Sequence, residues 1–194
     1  MEIQEQKRLA DSILDRLSFY PDVVLAGGAP RDWTVGMEAK DLDFFFGGVT
    51  QAERIDLKIS VEQALGMVEL TPISGNKYED SPFEGYECEI AGQPVQFLFH
   101  TKSCDEVVES FPFNSSRVSY RNGEYTKGKD FFYFERYNLM LEGTPEQKYA
   151  PDHYYERMRS KFPNTAVHDN KRQLLRALGK RAAAIQEADE LVEW

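Results

Sequence analysis

Apolar positions in the first half of the chain change period several times, and each change marks an element. Leu9, Ile13, Leu14 and Leu17 recur at helical spacing within residues 4–18, which predicts an amphipathic helix. Tyr20-Pro21-Asp22 interrupts it. The uninterrupted apolar run Val23–Ala26 predicts a short buried strand. Gly27-Gly28 then turns the chain into a short helix over about Pro30–Val35, with proline tolerated in the first turn and Gly36 as its stop. Asp41–Phe46 reads as a second strand ended by Gly47-Gly48, and residues 50–66 as a helix with Ile55, Ile59 and Leu65 on its apolar side.

Beyond that the pattern loosens. Thr71–Glu84, rich in Pro, Gly, Ser, Asp and Asn, predicts an exposed loop. Tyr86–Ile90 and Val95–His100 flank Ala91-Gly92-Gln93-Pro94, which predicts a hairpin with a four-residue turn. Phe111–Tyr120 fits no single period, and Arg121-Asn122-Gly123-Glu124 reads as a turn. From Phe131 onward the spacing is helical, with breaks at Gly143-Thr144-Pro145 and Phe162-Pro163-Asn164. Phe131, Phe132, Tyr133, Phe134 and Tyr137 are expected in the core, although aromatics can also stack on bases. Strands in the first two thirds and helices in the last third make the fold class α+β. We expect a small mixed β-sheet backed by helices over residues 1–128, then a helical C-terminal segment over 129–194 packed on or next to it.

Composition sets the limits. A chain of 194 residues can bury a sizeable core in one domain. No apolar run approaches the roughly 20 residues of a membrane span, and no apolar signal core follows the charged N-terminus, so the expected location is cytoplasmic. Cys88 and Cys104 are the only cysteines and lack metal-binding spacing, so free thiols are expected and a zinc site is not. A net charge of -10 argues against a surface that grips phosphate backbones throughout. Any RNA contact should fall to a local basic patch, Lys171, Arg172, Arg176, Lys180 and Arg181, for which a solvated helix face is the plainer reading.

The candidate chemistry lies between residues 24 and 46. Two glycines between a strand and a helix let backbone N–H groups approach a phosphate where the helix dipole favours negative charge. Asp41 and Asp43, two apart on a strand, leave the same face. Two neighbouring carboxylates are satisfied by a divalent cation such as Mg²⁺ or Mn²⁺, which also takes substrate phosphates as ligands. Leu42 and Phe44–Phe46 place that strand in the core, leaving two acids at the rim of a buried sheet. No Ser/His/Asp or Cys/His set and no Walker-type Gly-Lys-Ser/Thr is present. His100 is a further candidate at a strand end, whereas His153 and His168 lack partners at ligand spacing.

Gly27-Gly28-Ala29-Pro30-Arg31-Asp32, eight intervening residues and Asp41-Leu42-Asp43 resemble the signature of the DNA polymerase β-like nucleotidyltransferase superfamily. The nearest branch is the head domain shared by CCA-adding enzymes and poly(A) polymerases. The resemblance implies that Asp41 and Asp43 are catalytic metal ligands for Mg²⁺ or Mn²⁺. It implies that Gly27, Gly28, Arg31 and Asp32 hold the nucleoside triphosphate and its loop. The family's hairpin supplies a third acid where this chain has Gln96, within Val95-Gln96-Phe97. Three readings stay open: two carboxylates suffice, Glu87 or Glu89 on the partner strand substitutes, or activity is reduced or lost.

Phe113-Asn114-Ser115-Ser116-Arg117-Val118-Ser119-Tyr120 resembles the family segment under the nucleotide sugar, with Pro112 in place of the family aspartate. That adds Gln96, Asn114 and Arg117 to the nucleotide-binding candidates. The similarity covers about residues 20–125. Further on, Tyr154–Phe162 resembles a helix of short stand-alone, often phage-encoded, relatives. The family's tRNA-holding helical body has no room in this length, and its base-reading arginine and aspartate pair has no match. The implied activity is transfer of a nucleoside monophosphate to an acceptor hydroxyl with release of pyrophosphate. The acceptor is an RNA 3′ end, a protein or a small molecule, and the alternative is an inactive nucleotide-binding protein.

Overall fold

Alternation along the second strand decides how the sheet lies: Leu42, Phe44 and Phe46 are fully buried in one core, while Asp43 faces the other way and is half-buried. The computed structural model describes residues 1–73, 84–141, 152–168, 173 and 176–180. Contacts divide the chain into two units, Met1–Glu109 with Val118–Thr126, and Ser110–Arg117 with Lys127–Trp194.

In the first unit, α1 (Ile3–Arg16) opens with a reciprocal capping box between Glu2 and Glu5. It buries Ala10, Ile13 and Leu14, and Leu17 follows them into the core. Next come β1 (Val23–Ala26), α2 (Gly28–Thr34), β2 (Leu42–Phe46) and α3 (Arg54–Ala64). The strands β3 (Thr71–Pro72), β4 (Glu84–Ile90) and β5 (Gln93–Phe99) lead to α4 (Cys104–Glu109), and β6 (Val118–Arg121) and β7 (Glu124–Lys127) complete the sheet. Strands β1 to β7 form one seven-stranded sheet in the order β3-β4-β5-β2-β1-β6-β7. It is mostly antiparallel, with β2 and β5 parallel. The α+β class expected from the sequence is the observed one.

Aromatic rings fill the core face. Phe46 meets Tyr20, Phe97 and Phe99 at ring-centroid distances of 5.4, 6.4 and 5.1 Å, and Phe44 stacks on Phe97 at 5.7 Å. At the far end of β2, Gly47 is required sterically. A Cβ there would lie 2.1 Å from Asp22 Oδ2 and 2.5 Å from the Cys104 backbone N. Asp22 Oδ2 accepts that same N–H at 3.0 Å, which ties the start of α4 to the start of β1.

Several expectations need correction. The buried stripe of α3 is Leu57 and Val61, continued by Leu65, whereas Ile55 and Ile59 are exposed. This helix is apolar on two sides, and spacing alone does not say which one meets the sheet. The β4–β5 turn has two residues, not four: Ile90 pairs with Gln93, and Ala91 and Gly92 both adopt positive φ, the primed geometry that matches strand twist. Thr71–Pro72, assigned to a loop, adds an edge strand to β4. Residues 74–83, the rest of that predicted loop, lie outside the described residues.

The second unit contains a short 3-10 turn at Asn114–Ser116, α5 (Phe131–Tyr137), β8 (Leu139–Leu141), α6 (Asp152–Lys161) and β9 (Ala166–His168). Phe131, Tyr133 and Phe134 are buried as expected, whereas Phe132 is exposed. The parallel pair β8–β9 departs from the all-helical expectation for this region. These three-residue strands are too short to show a period. The predicted break at Gly143-Thr144-Pro145 lies outside the described residues, and Phe162–Asn164 does end α6. Among the described residues no helix is long and apolar enough to cross a membrane.

Candidate functional site

Antiparallel pairing of β1 with β2 brings the two halves of the motif together. Leu25 pairs with Phe44. Extending that register sets Ala26 opposite Asp43 and Gly27 opposite Leu42, so the Gly-Gly turn stands beside the acidic end of β2. The turn has a strict backbone requirement at one position only. Gly27 sits at φ 79° and ψ -112°, a combination open to glycine and strained for any other residue. Its N–H donates to the Val118 carbonyl at 3.0 Å. Gly28 starts α2, and a Cβ there would meet only Arg31 Nη2, at 3.9 Å.

Thus the fold demands glycine at 27 and leaves room for a methyl group at 28. Gly28→Ala is expected to leave the melting temperature within about 1 °C, because no atom must move. Its effect should appear in triphosphate affinity, measured by calorimetry with NTP and Mg²⁺. Unchanged affinity would remove Gly28 from the contact surface.

The acids form part of a row across three strands. Asp43 pairs with Gln96 on β5, and Gln96 pairs with Glu87 on β4. Gln96 Nε2 donates to Glu87 Oε2 at 3.4 Å. With strands about 4.8 Å apart, Glu87 is roughly 10 Å of backbone away from Asp43. Asp41, expected as the first residue of the strand, instead precedes the first ladder residue of β2, and it is half-buried. Glu89, opposite Pro94, is exposed. Asp41 and Asp43 provide oxygen donors only, a set that suits a hard divalent cation retaining water and phosphate ligands. Among the described residues no group of three His, Cys, Asp or Glu side chains is placed to hold a metal ion by itself.

Arg31 and Asp32 are buried and pair with each other. Arg31 Nε and Nη2 lie 2.9 and 2.8 Å from Asp32 Oδ1. The Asp32 carbonyl also accepts the N–H groups of Val35 and Met37, closing α2. Asn114 and Arg117 belong to the second unit. Asn114 Nδ2 donates to the carbonyls of Asp130 at 2.8 Å and Leu139 at 3.4 Å, and Arg117 Nε donates to the Phe111 carbonyl at 3.1 Å. Of the basic patch, Arg176 and Lys180 are exposed helical residues, while Lys171, Arg172 and Arg181 lie outside the described residues.

His100 is buried after the end of β5, and its Nδ1 accepts the Lys102 N–H at 2.8 Å. Burial, together with the charges of Lys102 and Arg54, holds its pKa below the usual histidine range. Burial pushes the Cys88 thiol up to about 11, so it stays protonated and is a poor nucleophile.

No family model matches the chain, and no protein of curated function does. Solved structures do resemble it. A CCA-adding enzyme in its apo form aligns with a TM-score of 0.62 at 11% identity, over 91% of this chain and 43% of that one. The Thermotoga maritima CCA-adding enzyme complexed with tRNA aligns at 0.59 and 12% identity, over 89% and 41%. The Bacillus stearothermophilus CCA-adding enzyme in complex with CTP aligns at 0.57 and 16% identity, over 84% and 40%. The chain therefore shares its fold with the aligned parts of these CCA-adding enzymes. The chain spans less than half the length of these structures.

Proposed function

We propose that this chain is a metal-dependent nucleotidyltransferase that moves a nucleoside monophosphate from an NTP to an acceptor hydroxyl. The observation that carries the reading is the register of β1 on β2, which sets the Gly27-Gly28 turn beside Asp41 and Asp43 at one end of the sheet. Gly27 and Gly28 cradle the triphosphate. The Arg31–Asp32 pair stiffens the loop behind it and so orients the phosphates. Asp41 and Asp43 would hold Mg²⁺ or Mn²⁺, which supplies charge neutralisation and activation of the attacking oxygen. The acceptor oxygen forms a bond to the α-phosphorus, the bond to the bridging oxygen breaks, and pyrophosphate leaves. The hydroxyl proton passes to a carboxylate of the row or to water. Positioning and charge stabilisation provide most of the rate.

Among acceptors, an RNA 3′ end is the one we favour, because similar folds include an enzyme complexed with tRNA and Arg176 and Lys180 are exposed. Incubation with each labelled NTP, Mg²⁺ and total cellular RNA and protein tests this. Label on RNA supports the full reading, and label on protein or small molecules moves the acceptor. Triphosphate binding without pyrophosphate release from any acceptor would sink the enzyme.

Gln96 favours a second reading, an inactive nucleotide-binding protein, since an amide adds no negative charge to the row. Gln96→Glu separates the two. It places a third carboxylate between Asp43 and Glu87, and facing like charges should cost about 0.5–1 kcal/mol of metal-free stability. Mg²⁺ should restore that loss, read as a thermal shift. An active enzyme built on two acids will keep pyrophosphate release in this variant. A decayed site will show release in the variant alone.

A further inference from the structure

The segment that delivers Asp41 to the sheet, residues 36–41, contains no helix or strand. Two buried glutamine side chains hold it in place of a backbone ladder. Gln6, on α1, is 1% exposed, and Gln93, the first residue of β5, is 3% exposed. Gln6 Oε1 accepts the Ala39 N–H at 2.9 Å, and Gln6 Nε2 donates to the Ala39 carbonyl at 2.7 Å. One amide thus grips both backbone groups of one residue, as a neighbouring strand would.

The same Gln6 Oε1 accepts Trp33 Nε1 at 2.9 Å, and Gln6 Nε2 also donates to Gln93 Oε1 at 2.9 Å. Gln93 Nε2 then donates to the Lys40 carbonyl at 2.9 Å. Gln6 therefore uses both donors and both acceptor sites, and the chain of bonds ends one residue before Asp41. Trp33 lies on α2, the helix that begins at Gly28. A buried amide with all its donors and acceptor sites used, as in Gln6, specifies one geometry.

We propose that Gln6 and Gln93 are positioning residues for the nucleotidyl-transfer site, fixing Asp41 and Asp43 relative to the Gly27-Gly28 turn from the side of α1. The inference rests on the function proposed above. Neither residue touches a reacting group. Their action runs through Ala39, Lys40 and Trp33. Asp41 precedes the ladder of β2, so the tether at 39–40 is what sets its place.

The test compares wild type with Gln6→Met and Gln93→Met, which keep volume and remove the amide. Phe46→Leu serves as a destabilised control outside the network. Three quantities are read: Mn²⁺ affinity by electron paramagnetic resonance, hydrogen exchange of the Ala39 amide, and kcat and KM for pyrophosphate release. Each Met variant is expected to exchange Ala39 faster, to bind Mn²⁺ about tenfold more weakly, and to lose kcat by about tenfold or more. KM for NTP should stay within threefold. Phe46→Leu should lose melting temperature but keep Mn²⁺ affinity.

Gln93→Met keeps the test usable if Gln6→Met does not fold. Met variants that match wild type in Mn²⁺ affinity and kcat overturn the positioning role alone. So does a control that loses Mn²⁺ affinity as they do. A wild-type protein that neither binds Mn²⁺ nor transfers nucleotide overturns the reading of the site, and the positioning role with it.

Discussion

Asp43→Asn is expected to lower nucleotidyl transfer on the order of a thousandfold, a barrier increase of about 4 kcal/mol. The substitution is nearly isosteric and sits between Leu42 and Phe44, both fully buried, so the strand should keep its place. What changes is charge. Asp43 pairs with the neutral Gln96 across β2 and β5, so the amide leaves Asp41 as the one charged group of the Asp-x-Asp motif. Folding stability should hold or rise slightly, because two neighbouring carboxylates no longer repel. Pyrophosphate release and Mn²⁺ binding should fall together while the melting temperature does not. Release at the wild-type rate would remove Asp43 from the chemistry. A parallel fall in melting temperature would mean that the residue holds the strand, not the substrate.

Phe46→Ala should produce the largest loss of stability, about 3–5 kcal/mol. The ring is completely buried and meets three other aromatic rings, Tyr20 from the segment after α1 and Phe97 and Phe99 from β5. Its removal leaves a cavity in a rigid aromatic layer that cannot collapse freely. At roughly 2–4 °C per kcal/mol for a chain of this size, the melting temperature should drop by about 8–15 °C. Thermal unfolding followed by circular dichroism measures it. A shift under about 3 °C would mean that the layer repacks and that the core is less specified than its ring geometry indicates.

Much of the first unit is legible in residue order. Val23–Ala26 is found as the strand that its uninterrupted apolar run predicts. Leu42, Phe44 and Phe46 enter one core while Asp43 and the buried Phe45 face the other side, because side chains of a strand repeat every two residues. Where the sequence offers two equal choices, the pattern fails. On α3, Ile55 with Ile59 and Leu57 with Val61 are both apolar i,i+4 pairs, and only packing against the sheet selects the second. The β4–β5 turn fails for a different reason. Gln93 reads as a polar turn residue, yet it is buried because its amide has partners far away in sequence.

The candidate site divides along the same line. Gly27, Gly28, Asp41 and Asp43 stand out in sequence because their chemistry is local: a glycine turn and two acids two positions apart at the start of β2. Gln6 gives no such signal. It sits on an amphipathic helix like any other polar residue, 33 positions away from the segment it holds. Gln96 and Glu87 are singled out in sequence only through the family resemblance, and their alignment with Asp43 depends on the turn between β4 and β5 and on the parallel pairing of β2 with β5.

Residue order alone therefore determined the strand that carries Asp43, the Gly27-Gly28 turn after β1, and the chemistry that two nearby carboxylates allow. Those features depend on neighbours within a few positions, where backbone sterics and side-chain period act directly. Which apolar face is buried, which amide stands beside which acid, and what holds the approach to Asp41 were settled by folding, because each depends on contacts between segments that only packing brings together.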